Sequence, residues 1–172
     1  MSISEDGLRK NQANFASLSP LSFLERTRKT FPNQTAIEYK DYKLSYKQAG
    51  QRCDALANLI KNQNFNSGST IAVMLPNIPV MWECHFGVPM ATGVLNAINT
   101  RLDSHTVQFI LEHGEAKLFI YDSEYSPIVE KALVNLKNPP TVIEFVDEVA
   151  GNKRSNFANK ANCLDYESEL KN

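Results

Sequence analysis

The sequence predicts an α/β protein with a doubly wound, flavodoxin-like parallel sheet, helices on both faces, and a small N-terminal helix and β-hairpin. Apolar strands begin near Ile71, Val94, Leu118 and Val142, at intervals of 23, 24 and 24 residues. Helical patterns of about ten residues lie between these strands. Strands joined through helices run parallel and are covered on both faces. A solenoid repeat has a similar period, but the consensus positions of leucine-rich or helical repeats are missing, which favours the doubly wound sheet.

Composition sets the broad class. The chain has 172 residues, of which 42% are apolar and 22% charged, which suits one globular domain rather than a disordered chain. The net charge of −1 provides no broad field for nucleic acid or anionic membrane. No apolar run has the length that a bilayer-spanning helix needs, and the first residues lack the pattern of a secretory signal.

The three cysteines do not indicate a disulfide framework. Cys53, Cys84 and Cys163 are widely spaced and form no Cys-x-x-Cys pair. Such an odd and scattered set predicts reduced thiols and no zinc site.

The N-terminal part begins with polar residues 1–17, predicted as a flexible arm, and the α/β domain is expected over residues 18–149. A helix is predicted from Ser19-Pro20 to about Phe31, because a serine cap followed by proline suits a first turn. A hairpin follows over residues 35–45. Ser45-x-x-Gln48 then matches a capping box. The helix behind it should bury one face: Ala49, Cys53, Leu56, Ala57 and Ile60.

The central stretch, residues 76–102, reads as the helix and second strand of a strand–helix–strand unit. Asn77 is the expected N-cap and Pro79 suits the first helical turn. Pro89 should kink or end the helix, because its ring clashes with the preceding turn.

Two further helices and a last strand complete the pattern. A helix is predicted over about Asp103–His113, and another starts at Ser126-Pro127. Thr141–Val146 is expected to be the exposed edge strand of the sheet. Residues 150–172 are polar and Asn-rich, which predicts a loop or a disordered tail, with a helix starting near Leu164.

Several side chains could carry chemistry, and a structural role is favoured for each. Cys84 and His85 are adjacent, but neighbours on a helix point about 100° apart, which disfavours a nucleophile–base pair. Arg101 follows a strand at the ligand-facing edge, yet a contact with Asp103 or loop carbonyls is the favoured role. The remaining candidates are expected on the surface, without metal or nucleic-acid function: His105, His113 with Glu112 and Glu115, and Lys153-Arg154.

Three segments carry a resemblance to a known family: Leu44-Ser-Tyr-Lys-Gln, Met74-Leu-Pro-Asn-Ile-Pro and Asn96-Ala-Ile-Asn-Thr-Arg-Leu-Asp. Over roughly residues 18–136 the chain resembles the N-terminal portion of the adenylate-forming acyl-activating enzymes, especially the acid–CoA ligases of the plant acyl-activating type. The resemblance implies an incomplete N-terminal subdomain of the adenylate-forming fold. For the complete enzyme it implies ATP, Mg and CoA, a carboxylic acid substrate that includes fatty acids, and a cytoplasmic or peroxisomal location.

The family's ATP-binding and catalytic segments are not recognisable in this chain. Its seven glycines never lie within five residues of one another, so no glycine-rich phosphate loop is present. No catalytic, cofactor-binding or metal residue of the family can therefore be carried onto a position here. The resemblance implies that the helix of the central stretch lies near the acyl pocket, which makes Trp82, His85 and Phe86 candidates for lining it.

Three functional hypotheses follow. The leading one is the N-terminal part of an AMP-forming acid–CoA ligase that is inactive by itself. The second is an interaction module that pairs with full-length ligase or another partner through the exposed edge strand. The third is a free-standing flavodoxin-like module that holds a small ligand at the carboxyl ends of the strands.

Overall fold

The computed structural model describes residues 18–134, 136–161 and 163–171. The predicted arm, residues 1–17, lies outside the described residues. The helices in the described part are α1 (Pro20–Thr30), α2 (Tyr46–Asn62), α3 (Pro79–Met90), α4 (Ser104–His113), α5 (Ser126–Leu133), α6 (Asn156–Lys160) and α7 (Tyr166–Glu169). The strands are β1 (Thr35–Tyr39), β2 (Tyr42–Ser45), β3 (Thr70–Met74), β4 (Val94–Ala97), β5 (Leu118–Asp122), β6 (Thr141–Phe145) and β7 (Leu164–Asp165).

The N-terminal elements form as their local sequence predicts. The Ser19 hydroxyl accepts from the amide of Leu21 at 3.3 Å and caps α1. Strands β1 and β2 pair antiparallel as a separate two-stranded sheet. The predicted capping box is confirmed, because Ser45 and Gln48 each accept a hydrogen bond from the other's backbone amide at the start of α2.

The main sheet has five parallel strands in the order β4-β3-β5-β6-β7. Numbered from β3, this order is the flavodoxin-like 2-1-3-4-5 arrangement, so the predicted doubly wound sheet is confirmed. The order reverses between β3 and β5. This pair therefore marks the topological switch point of the sheet.

Alternate residues along each strand supply two cores, one on each face of the sheet. On one face, Ile71, Val73 and Ile120 pack against α2 and α3. On the other face, Met74 and Phe119 pack against α4 and α5, and all of these side chains are buried. The predicted apolar stripe of α2 lies fully in this interior.

Helices α2 and α3 approach each other closely at a glycine. A Cβ atom at Gly87 would lie 2.8 Å from Cδ2 and 2.9 Å from Cγ of Leu56, a fully buried side chain. The helices thus pack at a distance that only a residue without a side chain allows there.

One local prediction in the central stretch, the N-cap at Asn77, needs correction. Ile78, not Asn77, is the N-cap of α3, and it makes no side-chain cap. The reason is that Pro79 occupies the first helical position, which assigns the cap to the residue directly before it. The helix also continues one residue beyond Pro89, to Met90, before the expected stop.

The prediction of an exposed edge at Thr141–Val146 is wrong. Strand β6 has a neighbour on each side, because β7 pairs with it at Ile143↔Leu164 and Glu144↔Asp165. The tail is correspondingly more structured than the predicted loop, since it contributes α6, β7 and α7. The interaction hypothesis that used this edge therefore loses its structural premise.

In the described residues, no helix combines the length and apolar character needed to cross a bilayer.

Candidate functional site

Polar groups gather where the strands end at the switch point. Asp122 is the last residue of β5, Ser123 follows it, and both are buried. Neither Asp122 Oδ2 nor Ser123 Oγ has a hydrogen-bond partner in the described part of the chain. The other carboxylate oxygen of Asp122 accepts from the Asn152 amide at 3.1 Å. Burial raises the pKa of Asp122, and the nearby charge of Asp147 adds to the shift.

A polar cavity of about 490 Å³ lies beside these groups, at the carboxyl ends of β6 and β7 and the start of α3. The hairpin forms part of its wall. Tyr39 donates a 2.7 Å hydrogen bond to buried Asp147, which ties the hairpin to the loop after β6. This bond raises the pKa of Tyr39 to about 12. Tyr42, Arg52, Glu83 and Glu167 are among the other polar side chains that line it.

An arginine joins the cavity to a buried carboxylate. Arg52 on α2 donates Nε to Glu83 on α3 and both Nη groups to the carboxylate of Glu167 on α7. Glu83 is fully buried and also accepts a 2.8 Å hydrogen bond from the hydroxyl of Tyr166. Burial raises the pKa of Glu83, while the Arg52 hydrogen bond and charge oppose that shift. The carboxylate of Glu83 therefore has its hydrogen-bond partners and belongs to a structural network, rather than being a free acid.

A second network of the same composition lies on the opposite face of the sheet. The hydroxyl of Tyr121 donates to fully buried Glu144 at 2.8 Å, and the guanidinium of Arg154 lies 3.8 Å from the same carboxylate. Arg154 also donates to the carbonyl of Cys163 and lies 3.6 Å from Asp165. Each face of the sheet thus holds one tyrosine, one buried glutamate and one arginine.

The sequence-predicted candidates Trp82, His85 and Phe86 line a separate, more apolar groove of about 740 Å³. The rings of Trp82 and Phe86 contact each other with centroids 4.6 Å apart. The groove also contains Ile37 of β1 and Ile78. The structure therefore brings these three candidates to one surface, next to the polar cavity.

The Cys84–His85 pair does not form a nucleophile–base pair. Cys84 is fully buried, and burial raises the pKa of its thiol well above the usual value. His85 is exposed, and its Nδ1 lies 2.8 Å from the carbonyl oxygen of Met81. Cys84 thus packs in the core, whereas His85 faces the surface.

The other candidates are dispersed. Arg101 is exposed after the edge strand β4, and among the described residues it makes no salt bridge with Asp103. Asp103 instead caps α4 by accepting from the amide of Thr106 at 2.9 Å. His105 is exposed in the first turn of α4, and exposed His113 stacks on Phe109 with centroids 5.3 Å apart.

Within residues 18–134, 136–161 and 163–171, no cluster of three or more His, Cys, Asp or Glu side chains could hold a metal ion.

Sequence patterns could not identify the two networks. Arg52 and Glu167 are 115 residues apart, and their pairing exists only because β7 returns to the sheet. One signal was available, because Glu83 is the only Asp, Glu, Lys or Arg in α3. A buried charge of this kind requires a partner.

Comparison with known proteins identifies the family. A model of the AMP-binding enzyme family matches residues 24–169. The chain belongs to the AMP-binding enzyme family. It is 36% identical over 172 residues to the acetate–CoA ligase CCL3 of Humulus lupulus, an alignment that covers 96% of this chain and 30% of that protein. It is also 43% identical over 128 residues to the peroxisomal trans-cinnamate:CoA ligase of Petunia hybrida, covering 74% and 22%.

Solved structures show the same fold. The anthranilate CoA ligase AuaEII in complex with anthranoyl-AMP superposes with a TM-score of 0.79 at 17% identity, covering 94% of this chain and 30% of that one. The N-terminal subdomain of Klebsiella oxytoca NpsA, in complex with 3-hydroxybenzoyl-AMSN, gives a TM-score of 0.62. This chain spans less than a third of the length of these two ligases from plants and of AuaEII.

Proposed function

We propose that this chain forms the N-terminal α/β portion of an AMP-forming acid–CoA ligase. Such an enzyme activates a carboxylic acid with ATP to an acyl-adenylate and then transfers the acyl group to CoA. The observation that carries the proposal is the family match over residues 24–169, supported by 36% identity to a plant acetate–CoA ligase. The parallel sheet and its helices supply a rigid scaffold for that activity.

The 172 residues alone do not activate acids in this proposal. Phosphates are held by backbone amides of glycine-rich loops, usually with a lysine and a magnesium ligand. The seven glycines are scattered, and the described residues contain no metal-binding cluster. The phosphate-binding parts of such a ligase would therefore come from outside these residues.

A chimeric ligase tests this proposal. The chain replaces the corresponding segment of the Humulus lupulus acetate–CoA ligase, and pyrophosphate release is measured with ATP, CoA and a panel of carboxylic acids. We expect turnover in the chimera and only background release from the chain alone. An inactive but folded chimera contradicts the scaffold role, and turnover by the chain alone contradicts its inactivity.

We further propose that the groove beside α3 contributes to the wall of the acyl pocket. Its aromatic side chains, Trp82 and Phe86, offer an apolar surface of the kind that binds the organic part of an acid. The family resemblance, which implies a position of this helix near the pocket, supports this assignment. The same chimera tests the assignment through the Michaelis constants for acids of different size.

A further inference from the structure

The C-terminal strap, defined as residues 163–171, is attached to the sheet by few backbone contacts. Its only strand, β7, has two residues and pairs with β6 alone. So short a strand contributes little backbone pairing, since strands commonly have five or six residues. Side chains must therefore supply most of the attachment.

Two arginines hold the strap, one from each face of the sheet. Arg52 binds Glu167 through both Nη groups, in the bidentate geometry that makes arginine–carboxylate pairs strong. Arg154 donates to the carbonyl of Cys163 and lies 3.6 Å from Asp165. Each arginine also approaches a fully buried glutamate, which anchors it on the body of the domain.

One aromatic side chain completes the docking. Tyr166 is fully buried, packs edge-on against Phe145 with centroids 5.7 Å apart, and donates to Glu83 at 2.8 Å. The contacts of Arg52 with Glu167 and of Arg154 with Cys163 and Asp165 are called the two clamps below. Together with them, Tyr166 holds the strap over β6.

We propose that the strap is a detachable wall that closes both the edge of β6 and the polar cavity. Its side chains Asp165, Glu167, Ser168 and Lys171 line that cavity. Opening the strap removes this side of the cavity and leaves the backbone groups of β6 that face β7 without a partner, while the pairing of β6 with β5 remains. The two clamps set how often this local opening occurs, while the central strands stay folded.

Thiol labelling of the three cysteines can measure this opening, because they lie in different parts of the structure. Cys163 lies on the strap and is 7% exposed, whereas Cys53 and Cys84 are fully buried in the body of the domain. Alkylation of Cys163 reports opening of the strap, and alkylation of the other two reports global unfolding. Native-state labelling with iodoacetamide, followed by peptide mass spectrometry, measures the three rates in one sample.

Matched variants distinguish the effect of weakening one clamp from the general effect of removing a negative charge. Glu167→Gln weakens the Arg52 clamp, and Asp165→Asn weakens the Arg154 clamp while an asparagine can still cap α7. Glu169→Gln is the control, because it makes the same charge change two residues away without any ion pair in the described residues. We expect Glu167→Gln to raise the Cys163 labelling rate about tenfold, because it removes a charged hydrogen bond. Asp165→Asn should raise the rate about threefold, because its contact with Arg154 is a partly exposed ion pair at 3.6 Å. The control should leave the rate within about twofold.

Hydrogen exchange of the whole chain provides the second readout. Amides of Ile143–Phe145 and of the strap should exchange faster in both clamp variants, while those of β3 and β5 stay unchanged. The proposal is overturned if Glu169→Gln has the same effect as Glu167→Gln. It is also overturned if Cys163 reacts at the rate of Cys53 and Cys84, or if all strands change together.

Discussion

The close approach of Gly87 to Leu56 predicts that Gly87→Ala changes the free energy of unfolding in opposite directions, depending on the residue at position 56. In the wild-type background, Gly87→Ala places a methyl group 2.8 Å from Leu56 Cδ2, so the two helices must shift or Leu56 must leave its rotamer. Overpacking of this kind costs about 1–3 kcal/mol. The alanine also favours the helix by about 1 kcal/mol. We expect a net destabilisation of about 1 kcal/mol.

In a Leu56→Ala background the obstacle is largely gone. That substitution alone should cost about 2–5 kcal/mol, because it leaves a cavity at a fully buried position. Cβ of residue 56 remains 3.0 Å from the added methyl group, a contact that a shift of a few tenths of an ångström into the new cavity relieves. Adding Gly87→Ala should then stabilise the protein by about 1 kcal/mol, since the helix preference and partial filling of the cavity outweigh that shift. The coupling energy between the two sites is therefore about 2 kcal/mol.

Urea unfolding of the four proteins of this cycle, followed by circular dichroism, measures the coupling as differences in the free energy of unfolding. Equal effects of Gly87→Ala in both backgrounds would refute the argument, since they would mean that the two helices do not pack at this glycine.

Three further predictions concern charge and substrate. Arg52→Met should lower the free energy of unfolding by about 3 kcal/mol, because it leaves buried Glu83 without its cation. Glu83→Gln should lower it by about half as much, and urea titrations of the two variants compare these losses. Since Tyr39 has a folded-state pKa of about 12 against an ordinary value of 10.0, its stabilising contribution is complete below pH 10 and is lost as pH rises toward 12. Tyr39→Phe should therefore remove that part of the alkaline loss of stability, and an unchanged pH profile would contradict the bond to Asp147. In the chimeric ligase, Trp82→Ala should raise the Michaelis constant for aromatic acids about tenfold and leave that for ATP unchanged; equal changes in both would argue against the acyl wall.

Local signals in the sequence predicted the elements whose formation depends on neighbouring residues. The capping box at Ser45 and the serine–proline start of α1 are examples, because each needs contacts only within one turn. The spacing of the apolar strands was equally informative, since a strand buried on both faces must be apolar along its length.

Long-range pairing explains what the sequence did not predict. Strand β7 has two residues, too few for any periodicity. Its place beside β6 depends on Tyr166, on Arg154 nearby in the chain and on Arg52, which lies 115 residues before its partner Glu167. The predicted edge at β6 was wrong for this reason. The family resemblance predicted residues that line the groove. The polar cavity was not predicted, because it depends on which loops meet at the carboxyl ends of the strands.

The strand order has a consequence for synthesis of the protein. After β3 and β4 have paired, β5 is added beside β3, β6 beside β5 and β7 beside β6. A nascent chain leaving the ribosome can therefore place each new strand next to one that already exists, without separating any earlier pair. We expect the domain to assemble in the direction of translation, with the helices closing over each pair as it forms.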